Sequence, residues 1–544
     1  MFRIVLLALL VLASCQPRIA SKKSSAKPKL VVGIVVDQMR YEYLNRFYDQ
    51  YGTGGFRRLM DQGYNFKNTH YNYSNTATGP GHASIYTGST PRYHGIIGND
   101  WYSNDKGKSV YCAEDLSVTA VGGGAKEGNR SPDHLLATTI TDELKICTRD
   151  QAKVIGISIK DRGAIMPAGH YPDGAYWYSK DTEGFMTSSY YQQDLPDWVA
   201  QFNVKKLPES YSQLEWSTDL PIDEMTQSDD DHAEYEFSIA SNGNPTFAYD
   251  MDSLRSSSTV ITTTPYGNTY LAEFAKSAVL GEQLGQDLVT DFLAISFSST
   301  DYIGHHYGPM SKEIQDTYVK LDNDLADFFS FLDHEVGANN WVVFLTADHG
   351  ASEVPKYLMN RKIKAGYFSK STLISDLNMH LLEVFNQEGL ALVETNEQVY
   401  LNHTKIKDSG LKLLDVKKVV KEYLVGLEGM RHVVFSEDLI GNSSVHFDMM
   451  MLGETTHPRR CGDVIFVLES GWIDDHYRKG GTSHGTMYTY DTHIPLLFYG
   501  KDINKGSTIT RHNIIDIAPT LSFMLDIKLP NSTIGSPLQE ILAD

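Results

Sequence analysis

Six short apolar runs, rich in β-branched and aromatic residues, recur along this chain and are separated by stretches of helical periodicity. They are Leu30–Val36, Val154–Ile159, Phe292–Phe297, Trp341–Leu345, Val464–Leu468 and Ile494–Phe498. An apolar run without alternation reads as a strand buried on both faces, the habit of parallel sheets. Ile314, Tyr318, Leu321, Leu325, Phe328 and Leu332 recur every three or four residues and mark one face of a long amphipathic helix. A second helix is expected to open at Ser131-Pro132 and to run through Leu136, Ile140 and Leu144. Strands alternating with helices imply right-handed crossovers, so the expectation is an α/β fold with a doubly wound, mostly parallel sheet. Two stretches, about 170–265 and 365–480, break the alternation and read as cap-like insertions into one domain spanning residues 30–544.

Ligands of open α/β sheets bind beyond the carboxyl ends of the strands. There the sequence repeats itself chemically. Asp37 follows the first run, Asp301 and His305 follow Phe292–Phe297, and Asp348-His349 follow Trp341–Leu345. A fourth site, His484, precedes Ile494–Phe498. A single Asp at a strand end is usually a helix cap, and a lone His usually a satisfied core or surface group. Four such sites together point elsewhere. Carboxylate and imidazole donors without thiolate suit Zn²⁺ in a catalytic setting. Six donors make three for each of two ions, the arrangement used for in-line phosphoryl displacement.

Thr76-Ala77-Thr78-Gly79-Pro80-Gly81-His82 reads as a helix start, where backbone N–H groups and the macrodipole favour an anion. A threonine hydroxyl there is a candidate nucleophile, although a neutral Thr needs activation. Lys160 and Arg162 follow the run Val154–Ile159; in an extended chain, residues two apart point the same way, so both cations are expected to face one site. Arg offers phosphoryl oxygens a planar fork and Lys a point charge.

Lys and Arg number 48 against 68 Asp and Glu, a formal charge of −20 that argues against nucleic acid as a partner. The four cysteines form no CxxC pair, which excludes thiolate zinc ribbons and CxxC redox chemistry. Arg3 precedes the apolar run Ile4–Leu12, too short to cross a bilayer, so residues 1–15 read as a signal peptide. Leu12-Ala13-Ser14-Cys15 is similar to a bacterial lipobox, which makes Cys15 the expected lipid anchor and the only membrane attachment. Residues 16–29 read as a flexible tether. The chain is therefore expected to be exported, as a periplasmic lipoprotein.

Taken together these stretches resemble the alkaline phosphatase superfamily, in particular its PafA-like, phosphate-irrepressible bacterial branch. The matching segments are VVGIVVDQMR at 31–40, TATGPGHASIYTGS at 76–89, GNDWY at 98–102, KDRGAIMPAGH at 160–170, STDYIGHHYGP at 299–309, TADHG at 346–350 and GTSHGTMYTYDTHIPLLFYG at 481–500. The resemblance implies two zinc ions, one held by Asp37, Asp348, His349 and Thr78, the other by Asp301, His305 and His484. It implies Thr78 rather than Thr76 as nucleophile, forming a phosphothreonine intermediate. It further implies Asn99, Lys160 and Arg162 as contacts to the phosphoryl oxygens, and small-molecule phosphate monoesters as substrates. His82, His306 and His493 are expected to be structural. A phosphodiesterase on the same scaffold is the alternative, and a non-catalytic zinc- or phosphate-binding lipoprotein a more distant one.

Overall fold

The structure, a computed structural model, describes residues 27–240, 243–254, 257–440 and 446–542. The signal peptide, Cys15 and most of the expected tether lie outside the described residues.

A ten-stranded sheet runs through the molecule. Its centre is built from β1 (Leu30–Val36), β2 (Val154–Ser158), β3 (Gly174–Ser179), β4 (Asp291–Phe297), β5 (Trp341–Thr346) and β6 (Leu496–Gly500). Their spatial order is β6-β5-β1-β4-β2-β3. All neighbours pair in parallel except β6, which is antiparallel to β5. Every residue of β1 is buried, as its unbroken apolar run requires. Because β1 lies between two strands that come much later in the chain, the crossovers diverge on either side of it. That divergence opens a crevice at its carboxyl end. The register sets Val36 against Phe297 and Val35 against Thr346, so the residues following β1, β4 and β5 emerge at one edge.

Five helices bear on the crevice and its surroundings: α1 (Thr78–Thr87), α2 (Ile140–Cys147), α3 (Asp161–Ala168), α4 (Ser299–Tyr307) and α5 (Lys312–Leu332). Helix α5 is the long amphipathic helix expected from its periodicity, and the Ser311 hydroxyl caps it by accepting the Ile314 N–H at 3.2 Å. Helix α2 starts nine residues later than Ser131-Pro132 suggested. Thr139 and Asp142 form a reciprocal capping box there, which satisfies two N-terminal donors at once. Ser131 instead bonds Asp115 and Asp133 in a turn, and Leu136 is exposed.

Three strands differ from expectation. The segment 174–179, inside the stretch expected to interrupt the alternation, is β3 itself. Its Ala-Tyr-Trp-Tyr run has the aromatic content of a strand, which weak periodicity masks. Val464–Leu468 leaves the main sheet for a four-stranded antiparallel sheet with Ala391–Thr395, Gln398–Leu401 and Met430–Phe435. That sheet packs on helices Lys370–Phe385 and Leu413–Val425 around its own apolar cluster, which includes Leu377, Val420 and Phe466. The run Ile494–Phe498 is broken at Pro495, which has no N–H to give the ladder.

Candidate active site

Asp37, Asp301 and Asp348 leave β1, β4 and β5 side by side and are all buried. The Lys160 ammonium sits among them, 2.7 Å from Asp37 Oδ2 and 2.5 Å from Asp301 Oδ2. His349 Nε2 is 3.4 Å from Asp37 Oδ1 and 3.7 Å from Asp348 Oδ2. His305 lies one helical turn after Asp301 on α4, so its Nε2 comes within 3.2 Å of Asp301 Oδ1. His484 Nε2 approaches the same oxygen at 3.6 Å, and its ring stacks on that of His349 with centroids 3.5 Å apart.

Each of these three imidazoles has its Nδ1 against a backbone carbonyl: His305 on Thr482 O (2.8 Å), His349 on Gly350 O (2.9 Å) and His484 on Thr76 O (2.8 Å). A hydrogen held on Nδ1 leaves Nε2 with its lone pair, which is how metal-ligating histidines are oriented.

The donor set fits a cation. Asp37 Oδ1, Asp348 Oδ2 and His349 Nε2 are buried and have no hydrogen-bond partner among the described residues. Unpaired buried acceptors are costly, and here three of them converge. Burial and the neighbouring Asp301 and Asp348 charges push the Asp37 carboxyl well above the usual range, and burial pushes Asp348 up to about 6. Positive charge beyond that of Lys160 relieves both. Among the described residues two groups have donor atoms close enough to share an ion: Asp37, Asp348 and His349 in one, Asp301, His349 and His484 in the other. The second differs from the resemblance in taking His349 where His305 was expected. His305 nonetheless stays beside Asp301, and the close His349–His484 stack explains why His349 is within reach of both groups.

Helix α1 enters from the side. Its first turn packs on the Asp348 loop so closely that a Cβ on Gly81 would lie 2.4 Å from the Asp348 carbonyl oxygen. Thr78 opens the helix and is buried. Its carbonyl accepts from His82 Nδ1 at 2.8 Å, and His82 Nε2 meets Ser296 Oγ at 2.9 Å, so His82 pins the helix to β4. Asn99 Oδ1 accepts the Gly79 N–H at 2.8 Å, which turns the amide nitrogen of Asn99 away from the helix.

Lys160 and Arg162 do not share an extended strand. Lys160 is the last extended residue (φ −86°, ψ 129°), and Arg162 already belongs to α3. The first turn of the helix, not the pleat, sets their relative direction. Arg162 Nη1 donates to the Tyr111 hydroxyl at 3.2 Å, and its buried Nε has no partner among the described residues. Tyr111 in turn bonds Asp161, which Arg130 neutralises at 2.6 Å. His306 Nδ1 meets the Tyr302 carbonyl and His493 Nε2 that of Lys67.

Gln38 was not anticipated. Held at φ 63°, it donates its backbone N–H to Asp348 Oδ1 at 3.2 Å and its side-chain amide to Asp301 Oδ1 at 2.7 Å. Gly304 makes the room, since a Cβ there would fall 1.9 Å from Gln38 Oε1. A glutamine after an aspartate carries no signal in sequence; the bond exists only because two crossovers bring Asp301 and Asp348 to either side of it.

Comparison with known proteins gives a consistent set of relatives. The type I phosphodiesterase / nucleotide pyrophosphatase family matches residues 31–493. Alkaline phosphatase PafA of Elizabethkingia meningoseptica is 41% identical over 529 residues, 96% of each chain. A Myroides odoratus protein named a calcium-transporting ATPase is 42% identical over 528 residues, again 96% of each chain. The crystal structure of wild-type PafA superposes with a TM-score of 0.93 at 41% identity, covering 96% of this chain and 100% of that one.

Proposed function

The chain belongs to the type I phosphodiesterase / nucleotide pyrophosphatase family, and from that premise we propose that it is an exported alkaline phosphatase. It hydrolyses phosphate monoesters to an alcohol and inorganic phosphate at a two-zinc centre. The observation that carries this reading is the convergence, beside Asp301, of buried donor atoms of Asp37, Asp348 and His349 that have no partner among the described residues. It occurs in a chain 41% identical along 96% of its length to an alkaline phosphatase.

In this reading Asp37, Asp348 and His349, with Thr78, would hold one zinc, and Asp301, His305 and His484 the other. When bound, the two ions supply positive charge for the entering and departing oxygens of an in-line displacement. The Thr78 hydroxyl loses its proton as its oxygen attacks phosphorus, the ester bond breaks, the departing oxygen takes up a proton and leaves as the alcohol, and the phosphoryl group rests on Thr78. Water then attacks the phosphothreonine, which releases phosphate and restores the hydroxyl. The N-terminus of α1 favours negative charge at this position. The Asn99 amide nitrogen, the Lys160 ammonium and the Arg162 guanidinium serve the remaining phosphoryl oxygens. Such fixed charge is the main requirement, because phosphoryl transfer asks little covalent help. Tyr111 and Asp161 aim the guanidinium.

The family description makes diester hydrolysis the second reading. Three polar groups for the non-bridging oxygens favour a dianionic monoester over a diester, which carries a second ester group in place of one oxygen. Export as a periplasmic lipoprotein anchored through Cys15 completes the proposal; among the described residues no helix is long and apolar enough to cross a membrane. The test is hydrolysis of a monoester and a matched diester by purified protein lacking residues 1–15, with and without a zinc chelator. A strong monoester preference abolished by chelation is expected; a diester preference would overturn the assignment of the pocket.

A further inference from the structure

The strand pair Asp100–Ser103 and Lys108–Tyr111 has two faces. On one, Tyr111 reaches Arg162 and Asp161 at the candidate active site. On the other, Trp101, Ser103 and Val110 wall a cavity of about 360 Å³, completed by Lys106, His134, Leu136, His457, Arg459 and Arg460 among others.

The charge in this cavity is unbalanced. Lys106, Arg459 and Arg460 line it against one carboxylate, Asp105, and among the described residues none of the three has a carboxylate within ion-pair distance. Arg460 is fixed by neutral groups, with Asp133 acting on it only from beyond ion-pair distance: its Nη1 donates to the carbonyls of Gly95 and His134, and its guanidinium lies 4.8 Å over the Trp101 ring. Burial lowers this guanidinium to about 10, and burial with Arg460 and Arg459 holds His457 down at about 4. Concentrated positive charge is unusual in a chain of net charge −20.

A second feature points to a ligand. His134 is only 8% exposed and lines the same cavity. Its Nδ1 lies 3.7 Å from Asp133, beyond hydrogen-bond distance, and its buried Nε2 has no partner among the described residues. An orphaned imidazole nitrogen beside uncompensated cations is satisfied by an oxyanion, to which Nε2–H donates.

We propose that this cavity is a binding site for a tetrahedral oxyanion of the phosphate type, separate from the candidate active site. Lys106 and Arg459 attract the anion, Arg460 and His134 hold it, and Trp101 closes one side. The site does not depend on the catalytic reading.

Calorimetric titration of the zinc-loaded protein with inorganic phosphate tests it, alongside the Lys106→Glu/Arg459→Glu double variant. Both positions are exposed, so the fold is not at stake. The proposal expects the variant to bind one phosphate fewer per chain, or to bind that phosphate at least tenfold more weakly, with kcat and KM for a monoester unchanged. Equal stoichiometry and affinity in the two proteins overturns it, as does wild-type binding at this cavity only at tens of millimolar. The difference of one phosphate remains readable even if the protein turns over no ester.

Discussion

Gln38 donates its side-chain amide to Asp301 Oδ1 across 2.7 Å, and with the Thr300 hydroxyl on the Asp37 carbonyl this bond ties the loop after β1 to the helix after β4. With its backbone N–H on Asp348, Gln38 spans both groups of candidate ligands. Partners of this kind orient metal ligands, and losing one costs about 10–100-fold in metal affinity or activity. Gln38→Leu should therefore release zinc to a competing chelator at a roughly 10-fold lower chelator concentration or less. Zinc retention equal to wild type would show that Asp301 and Asp348 hold their positions without it.

Thr78 differs from the six other proposed ligands in that its oxygen also attacks phosphorus. Thr78→Ala is expected to lower monoesterase kcat by about 10³-fold or more while leaving both ions bound, since six other donors remain. Steady-state kinetics with metal analysis checks this. Full activity in the variant removes Thr78 as nucleophile.

Gly81 is fixed by contact, not by conformation. A methyl group there collides with the Asp348 carbonyl oxygen at 2.4 Å and with Asp348 Cβ at 2.7 Å. Gly81→Ala should destabilise the protein by about 1–3 kcal/mol and weaken metal binding together, because relief of the clash moves Asp348. Thermal unfolding of metal-free and zinc-loaded protein separates the two effects. Loss of stability with unchanged zinc affinity would mean that the helix moves and the loop does not.

Asp491 supplies a pH dependence. Its buried carboxyl accepts from the Thr486 N–H at 2.8 Å and hydroxyl at 2.6 Å, bracing the loop that carries His484. Burial raises it from 3.8 to about 7. The folded state thus holds this proton more tightly than the unfolded state does. The associated stability is fully present below pH 3.8 and is lost as pH rises through about 7. Asp491→Asn keeps an acceptor for Thr486 and has no charge to bury. Its melting temperature should gain on wild type between pH 5 and pH 9, by an amount on the order of a few kcal/mol of stability. A constant difference across that range contradicts the assignment.

Much of this architecture was legible because it follows from periodicity. The buried run Leu30–Val36, the stripe of α5 and the Asp or His after three strands each carry a local signal. What stayed hidden depends on long-range contact. Gln38 acts only through Asp301 and Asp348, which lie 263 and 310 residues away. The relation of Lys160 to Arg162 turned on where α3 begins, and helix starts are set by caps that compete, as Thr139 displaced Ser131 at α2. The strand Gly174–Ser179 was concealed by polar and aromatic neighbours, its place secured by pairing with β2.

The most direct measurement is anomalous scattering at the zinc edge from crystals of the zinc-loaded protein. The account predicts two peaks per chain, one ligated by Asp37, Asp348 and His349, the other by Asp301, His305 and His484. A single peak, or a second ion that takes His349 in place of His305, would contradict it.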